Sequence, residues 1–314
     1  MVGIWGMGGI GKTTIAQALF RRISYKFEGS SFIKGVRENS KRDICALQEK
    51  ILKDILTTHQ GSMNNDPEDG AKMIYTRLCN KKVLLVLDDV DDVKQLHFLA
   101  ATREWFGAGS RIIITTRDEH LLLDTYAKYK PAILVHEQAV ELFSTHAFRK
   151  ANPPEGYKEV SDRAVSQCGG LPLALEVLGS FFRGREAHVW ESALNRLPKS
   201  LDEKIFAILN ISFEGLKVSE KNIFLDIACF FKGYDEEHVT RVLDSFGFDP
   251  VIGISVLIEK SLITVSYKRL YMHDLVQEMG LKIVRESSPN SRLWQIEEIH
   301  DFIKKKKVIN FFLY

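Results

Sequence analysis

The sequence has little of what marks a secreted, membrane-bound or fibrous chain. Its 314 residues hold four cysteines, Cys45, Cys79, Cys168 and Cys229, widely spaced and without a CxxC pair. That excludes a dense disulfide scaffold and fits a reducing, cytoplasmic compartment. No apolar run approaches the ~18–20 residues that span a bilayer, the candidates being short stretches such as residues 83–87, so no membrane span is expected. The N-terminal Met-Val-Gly-Ile-Trp-Gly lacks the basic region and small-residue cleavage site of a secretory signal. Charge of one sign is not in excess either: 43 Lys and Arg stand against 41 Asp and Glu, a net +2. That balance is too even for a protein that coats DNA or an anionic surface, and it argues for discrete sites. No internal repeat at a period of about 20–50 residues is present, so a solenoid is not expected. What remains is an ordinary globular composition, 45% hydrophobic and 27% charged. Such a chain can bury a sizeable core, and its length suits about two or three domains.

The first part alternates short apolar runs with longer amphipathic ones, the pattern of an α/β fold with a parallel sheet. Strands are expected over 2–5, 31–35, 83–87 and 111–115, with helices over 13–24, 44–57, 71–78 and 95–101 and an exposed loop over 61–69. After about Tyr126 the period becomes helical, with helices over 138–148, 157–168 and 172–182. A third section begins near Pro198, with helices over 203–214, 219–230, 236–245 and 251–260 followed by strands over 262–266 and 269–272, the order of a winged-helix module. The expected division is therefore 1–125, 126–197, 198–286 and a tail over 287–314.

Between the first strand and first helix lies Gly6-Met7-Gly8-Gly9-Ile10-Gly11-Lys12-Thr13, which fits G-x-x-x-x-G-K-[ST] in the required context. Gly6, Gly8, Gly9 and Gly11 let backbone N–H groups turn inward around phosphate oxygens, and the helix N-terminus adds partial positive charge. Lys12 is expected to reach the β- and γ-phosphates, Thr13 to ligate Mg²⁺, and Thr14 to share the phosphate end of the helix. The chemistry implied is ADP or ATP with Mg²⁺. The apolar run 83–87 ends in Asp88 and Asp89, what an Mg²⁺-nucleotide site needs opposite a P-loop. Asp88 would hold the metal and Asp89 would orient or deprotonate an attacking water. Arg117, after the run 111–115, serves equally well as a γ-phosphate sensor or a surface ion pair. Pro172 reads on its own as a helix-start proline, and His273 as a surface imidazole before a helix favoured by Asp274.

Taken together, LVLDDVD at 85–91, GSRIIITTRD at 109–118, GGLPLALEVLG at 169–179, FLDIACFF at 224–231 and MHDLVQEMG at 272–280 resemble the NB-ARC region of plant nucleotide-binding, leucine-rich-repeat disease-resistance proteins. SRLWQIEEI at 291–299 is a weaker echo, and Asp91 closing LDDVD is similar to the subclass with an N-terminal TIR domain. The resemblance implies a P-loop NTPase sheet, a helical module and a winged-helix module. It implies a switch, closed with ADP and opened by ATP, that assembles with itself or related resistance proteins in the cytoplasm or nucleus. It further implies that Pro172 packs near the adenine, Arg117 reads the γ-phosphate and His273 contacts the ADP β-phosphate. Against the family pattern the sequence starts almost on the first strand and the stretch 124–138 looks compressed. With residues 302–314 unlike the family continuation, this reads as a chain truncated at both ends.

The expected function is thus an ADP/ATP-binding switch of plant immune signalling with slow hydrolysis. The alternatives are an efficient P-loop ATPase using the same residues, or a truncated adaptor without effective nucleotide binding. DNA binding through the winged-helix module and Lys304–Lys307 is disfavoured by the balanced charge.

Overall fold

The computed structural model describes residues 1–56, 66–122, 127–198, 201–287 and Arg292. The chain divides into two compact units, 1–132 and 133–314, taken here in turn. The first is built from β1 (Val2–Trp5), α1 (Lys12–Ile23), β2 (Gly29–Ile33), α2 (Val36–Ile55), α3 (Pro67–Leu78), β3 (Val83–Val90), α4 (Val93–Ala100), β4 (Arg111–Thr116) and β5 (Ala127–Tyr129). All five strands are parallel, in the order β2-β3-β4-β1-β5.

Burial on both faces explains why β3 and β4 read as continuous apolar runs rather than as alternating ones. Val83, Leu85 and Leu87 join Ile112 and Ile114 on one face, where Ile51 and Leu52 of α2, Ile74 and Leu78 of α3 and Leu99 of α4 cover them. Leu84 and Val86 lie with Ile4 and Ile113 on the other face, against Ala16 of α1. Because β1 is followed in sequence by the edge strand β2 while β4 lies between β1 and β3, the chain changes direction across the sheet beside β1. In parallel α/β sheets the crevice at such a point, outside the strands' carboxyl ends, is where ligands bind. The turn after β1 and the end of β3 both open there.

Several expectations need correction. β2 lies two residues earlier than expected, at Gly29–Ile33, because its register with β3 pairs Gly29 with Val83 and Ile33 with Leu87. β3 runs on through Asp88 and Asp89 to Val90, with an irregularity between Leu87 and Val90 where Asp89 takes φ 60. α2 starts at Val36, well before the expected 44, and breaks at Asp43 (φ −163, ψ 102). The Asp43 carboxylate accepts the Ala46 N–H at 3.0 Å, so the second half of α2 has its own cap, and periodicity picked up that half alone. α3 starts at Pro67 inside the expected loop, capped by Asp66 accepting from Glu68 N–H; residues 57–65 lie outside the described ones. Strand β5 falls where only helices were expected, and all three of its residues are exposed, so hydropathy carries no trace of it.

The second unit contains α5 (His136–Phe148), α6 (Lys158–Gln167), α7 (Pro172–Phe182), α8 (Ala187–Leu194), α9 (Leu201–Glu214), α10 (Val218–Asp226), a π-helical turn at Ile227–Phe231, α11 (Glu236–Ser245), α12 (Pro250–Glu259), β6 (Thr264–Ser266), β7 (Arg269–Tyr271) and α13 (Asp274–Ser287). Helix α8 was not expected. It delivers Trp190 into an aromatic cluster, stacked on Phe182 at 4.5 Å and edge-on to Phe143 at 5.7 Å, which anchors the α5–α8 part. Gly170 before α7 has φ +70, and a Cβ there would lie 2.6 Å from the Leu134 carbonyl, so that close turn requires glycine. In the remainder, β6 and β7 pair antiparallel after α9–α12, which is the winged-helix order. Among the described residues no helix is long and apolar enough to cross a membrane. The tail motif 291–299, apart from Arg292, and Lys304–Lys307 lie outside the described residues.

Candidate functional site

The loop after β1 is shaped by its glycines: Gly6 has φ 145, Gly9 φ 80 and Gly11 φ 94, all in the region that side chains disfavour, while Gly8 is buried without positive φ. Gly11 is the N-cap of α1 and offers no side-chain cap, and no acidic residue occupies the helix's first turn. A helix N-terminus with no side-chain cap and no acidic first turn is the arrangement that favours an anion. Lys12, 9% exposed, donates to the carbonyls of Gly6 at 2.7 Å and Met7 at 2.9 Å, which holds its ammonium over the same loop. Thr14 lies exposed one residue beyond Thr13 in α1.

Across the crevice, Asp88 Oδ1 accepts two hydroxyls, Thr13 Oγ1 at 2.8 Å and Thr115 Oγ1 at 2.7 Å. Thr115 Oγ1 in turn accepts the Asp89 N–H at 2.8 Å. One threonine of β4 thus ties both carboxylate residues of β3 into a single arrangement. Burial pushes the Asp88 carboxyl above the ordinary carboxylate range; the Thr115 and Thr13 hydroxyls and the charges of Lys34 and Lys12 oppose that. Lys34, just beyond β2, is itself pushed down by burial, with the Asp88 charge acting the other way. The site is therefore a buried acid ringed by hydroxyls and cations.

Those donors suit a hard cation bound together with phosphate. A Thr hydroxyl and a carboxylate touching each other beside a cationic, anion-ready loop are what Mg²⁺ takes, since it keeps waters and phosphate oxygens as its other ligands. No cluster of three or more His, Cys, Asp or Glu side chains among the described residues forms a self-sufficient metal cage, so Mg²⁺ would enter with the nucleotide.

Arg117 follows Thr116, which pairs with both Trp5 and Val90, so it emerges half-buried at the same sheet edge as the loop and Asp88. Thr116 Oγ1 accepts the Asp118 N–H at 3.1 Å and shapes the turn that carries it. Pro172 and His273 belong to the second unit. Pro172 is the first residue of α7, as its helix-start reading requires. His273 is exposed and its Nδ1 accepts the Leu275 N–H at 3.1 Å, so the imidazole caps α13 and carries its proton on Nε2 when neutral. Its neighbour Asp274 is paired with Lys232 at 2.5 Å, and Lys232 also donates to Gln277 Oε1 at 2.8 Å. Residue patterns did not single out Thr115, Lys34, Arg37 or Lys232. A polar residue ending a buried strand was the available signal for Thr115; nothing marked the others.

Comparison with known proteins bears on the family and the fold. Residues 1–152 match the NB-ARC domain, and residues 217–288 match the winged-helix domain of Roq1-like disease resistance proteins. Disease resistance protein RUN1 of Vitis rotundifolia is 46% identical over 305 residues, covering 94% of this chain and 23% of that protein. TMV resistance protein N of Nicotiana glutinosa is 40% identical over 312 residues, covering 96% and 27%. The chain thus spans about a quarter of the length of these relatives. Among solved structures, a signal transduction ATPase with numerous domains and a tetratricopeptide-repeat sensor, from Pyrococcus horikoshii, shares the fold with a TM-score of 0.57 at 18% identity, over 99% of this chain and 44% of that one.

Proposed function

Because the chain belongs to the NB-ARC domain family, we propose that it is an ADP/ATP-binding switch of plant defence signalling with slow ATP hydrolysis. The observation that carries this reading is the bonded set Thr13–Asp88–Thr115–Asp89 facing a glycine loop that holds Lys12. In it the Gly6–Gly11 backbone and Lys12 bind the phosphates, with Thr14 at the same helix end. Thr13 and Asp88 hold Mg²⁺, which when bound offsets phosphate charge. Asp89 orients an attacking water and takes its proton. Arg117 reads the γ-phosphate from the neighbouring strand, Pro172 packs near the adenine, and His273 contacts the ADP β-phosphate.

A group that touches ADP in only one arrangement gives the nucleotide unequal affinity for two states, and that inequality is all a ligand needs to shift a population. The named relatives are resistance proteins, which supports a defence role; assembly with related chains, in the cytoplasm with access to the nucleus, completes the proposal. Multiple-turnover phosphate release tests the switch reading. Retained ADP and turnover well below the ~1–1000 s⁻¹ of typical enzymes is the expected result, and sustained release in that range would make the chain an efficient ATPase instead.

A further inference from the structure

The second carboxylate of the site does not stand alone. Asp89, at φ 60, sits in the irregularity of β3, and Arg37 Nη1 at the start of α2 lies 4.0 Å from Asp89 Oδ2. The same guanidinium places Nε 3.4 Å from Asp91 Oδ2, so one Arg spans two carboxylates. The three side chains are partly buried, 27% exposed for Arg37, 21% for Asp89 and 36% for Asp91. Arg37 is also firmly rooted. Val36 beside it is fully buried, and Asn39 one turn on donates to the carbonyls of Lys34 at 2.9 Å and Gly35 at 3.0 Å. Gln95 of α4 binds Ser40 at 2.9 Å and Asp91 at 2.7 Å, tying α2 to the end of β3.

In hydrolysis the water oxygen bonds to the γ-phosphorus as the bond to the ADP oxygen breaks, and the water proton passes to a carboxylate oxygen. A base must bring that oxygen within about 2.6–3.2 Å of the water. A carboxylate with a guanidinium 4.0 Å away on an anchored helix turn is attracted toward the helix and away from that position, a Coulombic pull between two partly buried charges. We propose that Arg37 is a positioning residue that restrains ATP hydrolysis by holding Asp89 toward α2. This rests on Asp89 being the water-activating group. It also supplies a physical cause for the slow turnover proposed above.

The test is steady-state and single-turnover hydrolysis of Mg²⁺-ATP by the full chain with Arg37→Ala, Arg37→Lys, Asp89→Ala and the Arg37→Ala/Asp89→Ala double variant. Arg37→Ala should raise kcat about fivefold, and the single-turnover rate by the same factor, with KM within about twofold, because the group acts on the chemical step. Lysine keeps the charge but not the fork, so Arg37→Lys should fall between Arg37→Ala and the wild type. The gain should vanish in the double variant. If Arg37→Ala fails to fold, Arg37→Gln provides the same comparison. Unchanged or lower kcat in Arg37→Ala, with Asp89→Ala still abolishing turnover, would overturn the restraint while leaving Asp89 as the base. Turnover that survives Asp89→Ala would remove the base reading, and the restraint with it.

Discussion

Thr115→Val is the sharpest probe of how the two acidic residues are held. Thr115 is 1% exposed and Asp88 3%, so neither finds water when a partner is lost. Valine nearly matches threonine in shape and leaves no cavity, but it removes the hydroxyl that donates to Asp88 Oδ1 at 2.7 Å and accepts the Asp89 N–H at 2.8 Å. A hydrogen bond to a charged group contributes about 1.5–3 kcal/mol, and an orphaned buried N–H costs about 1–3 kcal/mol, so a loss of about 3–4 kcal/mol is expected. Thr115→Ser keeps the hydroxyl and removes one methyl, for about 1 kcal/mol. Urea denaturation, followed by hydrogen exchange in peptides covering β4, measures both. With a slope of about 2 kcal/mol/M the valine midpoint should drop by about 1.5–2 M and the serine midpoint by about 0.5 M. Mg²⁺-ATP affinity should weaken in Thr115→Val by about tenfold or more, since a support to the carboxylate proposed to hold the metal is gone. Equal losses in the two variants would show that the hydroxyl is not what organises the site.

Two further predictions concern the second unit. Lys232 and Asp274 are a largely buried pair, with side chains 11% and 18% exposed, so Lys232→Met should cost about 2–4 kcal/mol by taking the cation away from an enclosed carboxylate. Adding Asp274→Asn should recover part of that loss in a double-mutant cycle, and strict additivity would speak against the pair. His146 Nδ1 lies 3.2 Å from Ser180 Oγ, which is 2.9 Å from Ser261 Oγ, and its imidazole is pushed below the ordinary 6.5 by burial and by the Arg183 charge. The unfolded chain therefore takes this proton first: His146's share of stability is full above pH 6.5 and falls as pH drops from 6.5 toward the folded value. Calorimetry on His146→Gln should show a flatter pH dependence over that window, and an unchanged slope would count against the assignment.

How much of this was legible in the residues depended on whether a feature was local. The glycine loop, Lys12 and the carboxylates ending an apolar strand need only adjacent residues, and the strand–loop–helix context they demanded is present. Thr115 was not legible, because a threonine ending IIITT is what any β-strand prefers, and its role comes from pairing with Asp88 across two strands. Arg37 escaped for the same reason, since its partners lie some fifty positions away and meet it through sheet order. Strand β5 was hidden because exposure on an edge leaves no hydropathy pattern. The break at Asp43 divided one helix into two periodic pieces, of which only the second was regular enough to read. His273 read as a bland surface imidazole. It is exposed, and its Nδ1 accepts the Leu275 N–H beside a paired Asp274, a helix-capping contact that residue type alone does not reveal.

The most direct measurement is thermal unfolding of the purified chain with and without ADP, for the wild type and for Lys12→Ala. A site filled at ~100 times its dissociation constant should add about 2.7 kcal/mol of stability. Nucleotide binding predicts a clear ADP-dependent rise in melting temperature for the wild type that is lost in Lys12→Ala, whose ammonium is the one held over the loop by Gly6 and Met7. No shift in the wild type, with no nucleotide released on denaturation, would contradict the central claim that this loop binds ADP.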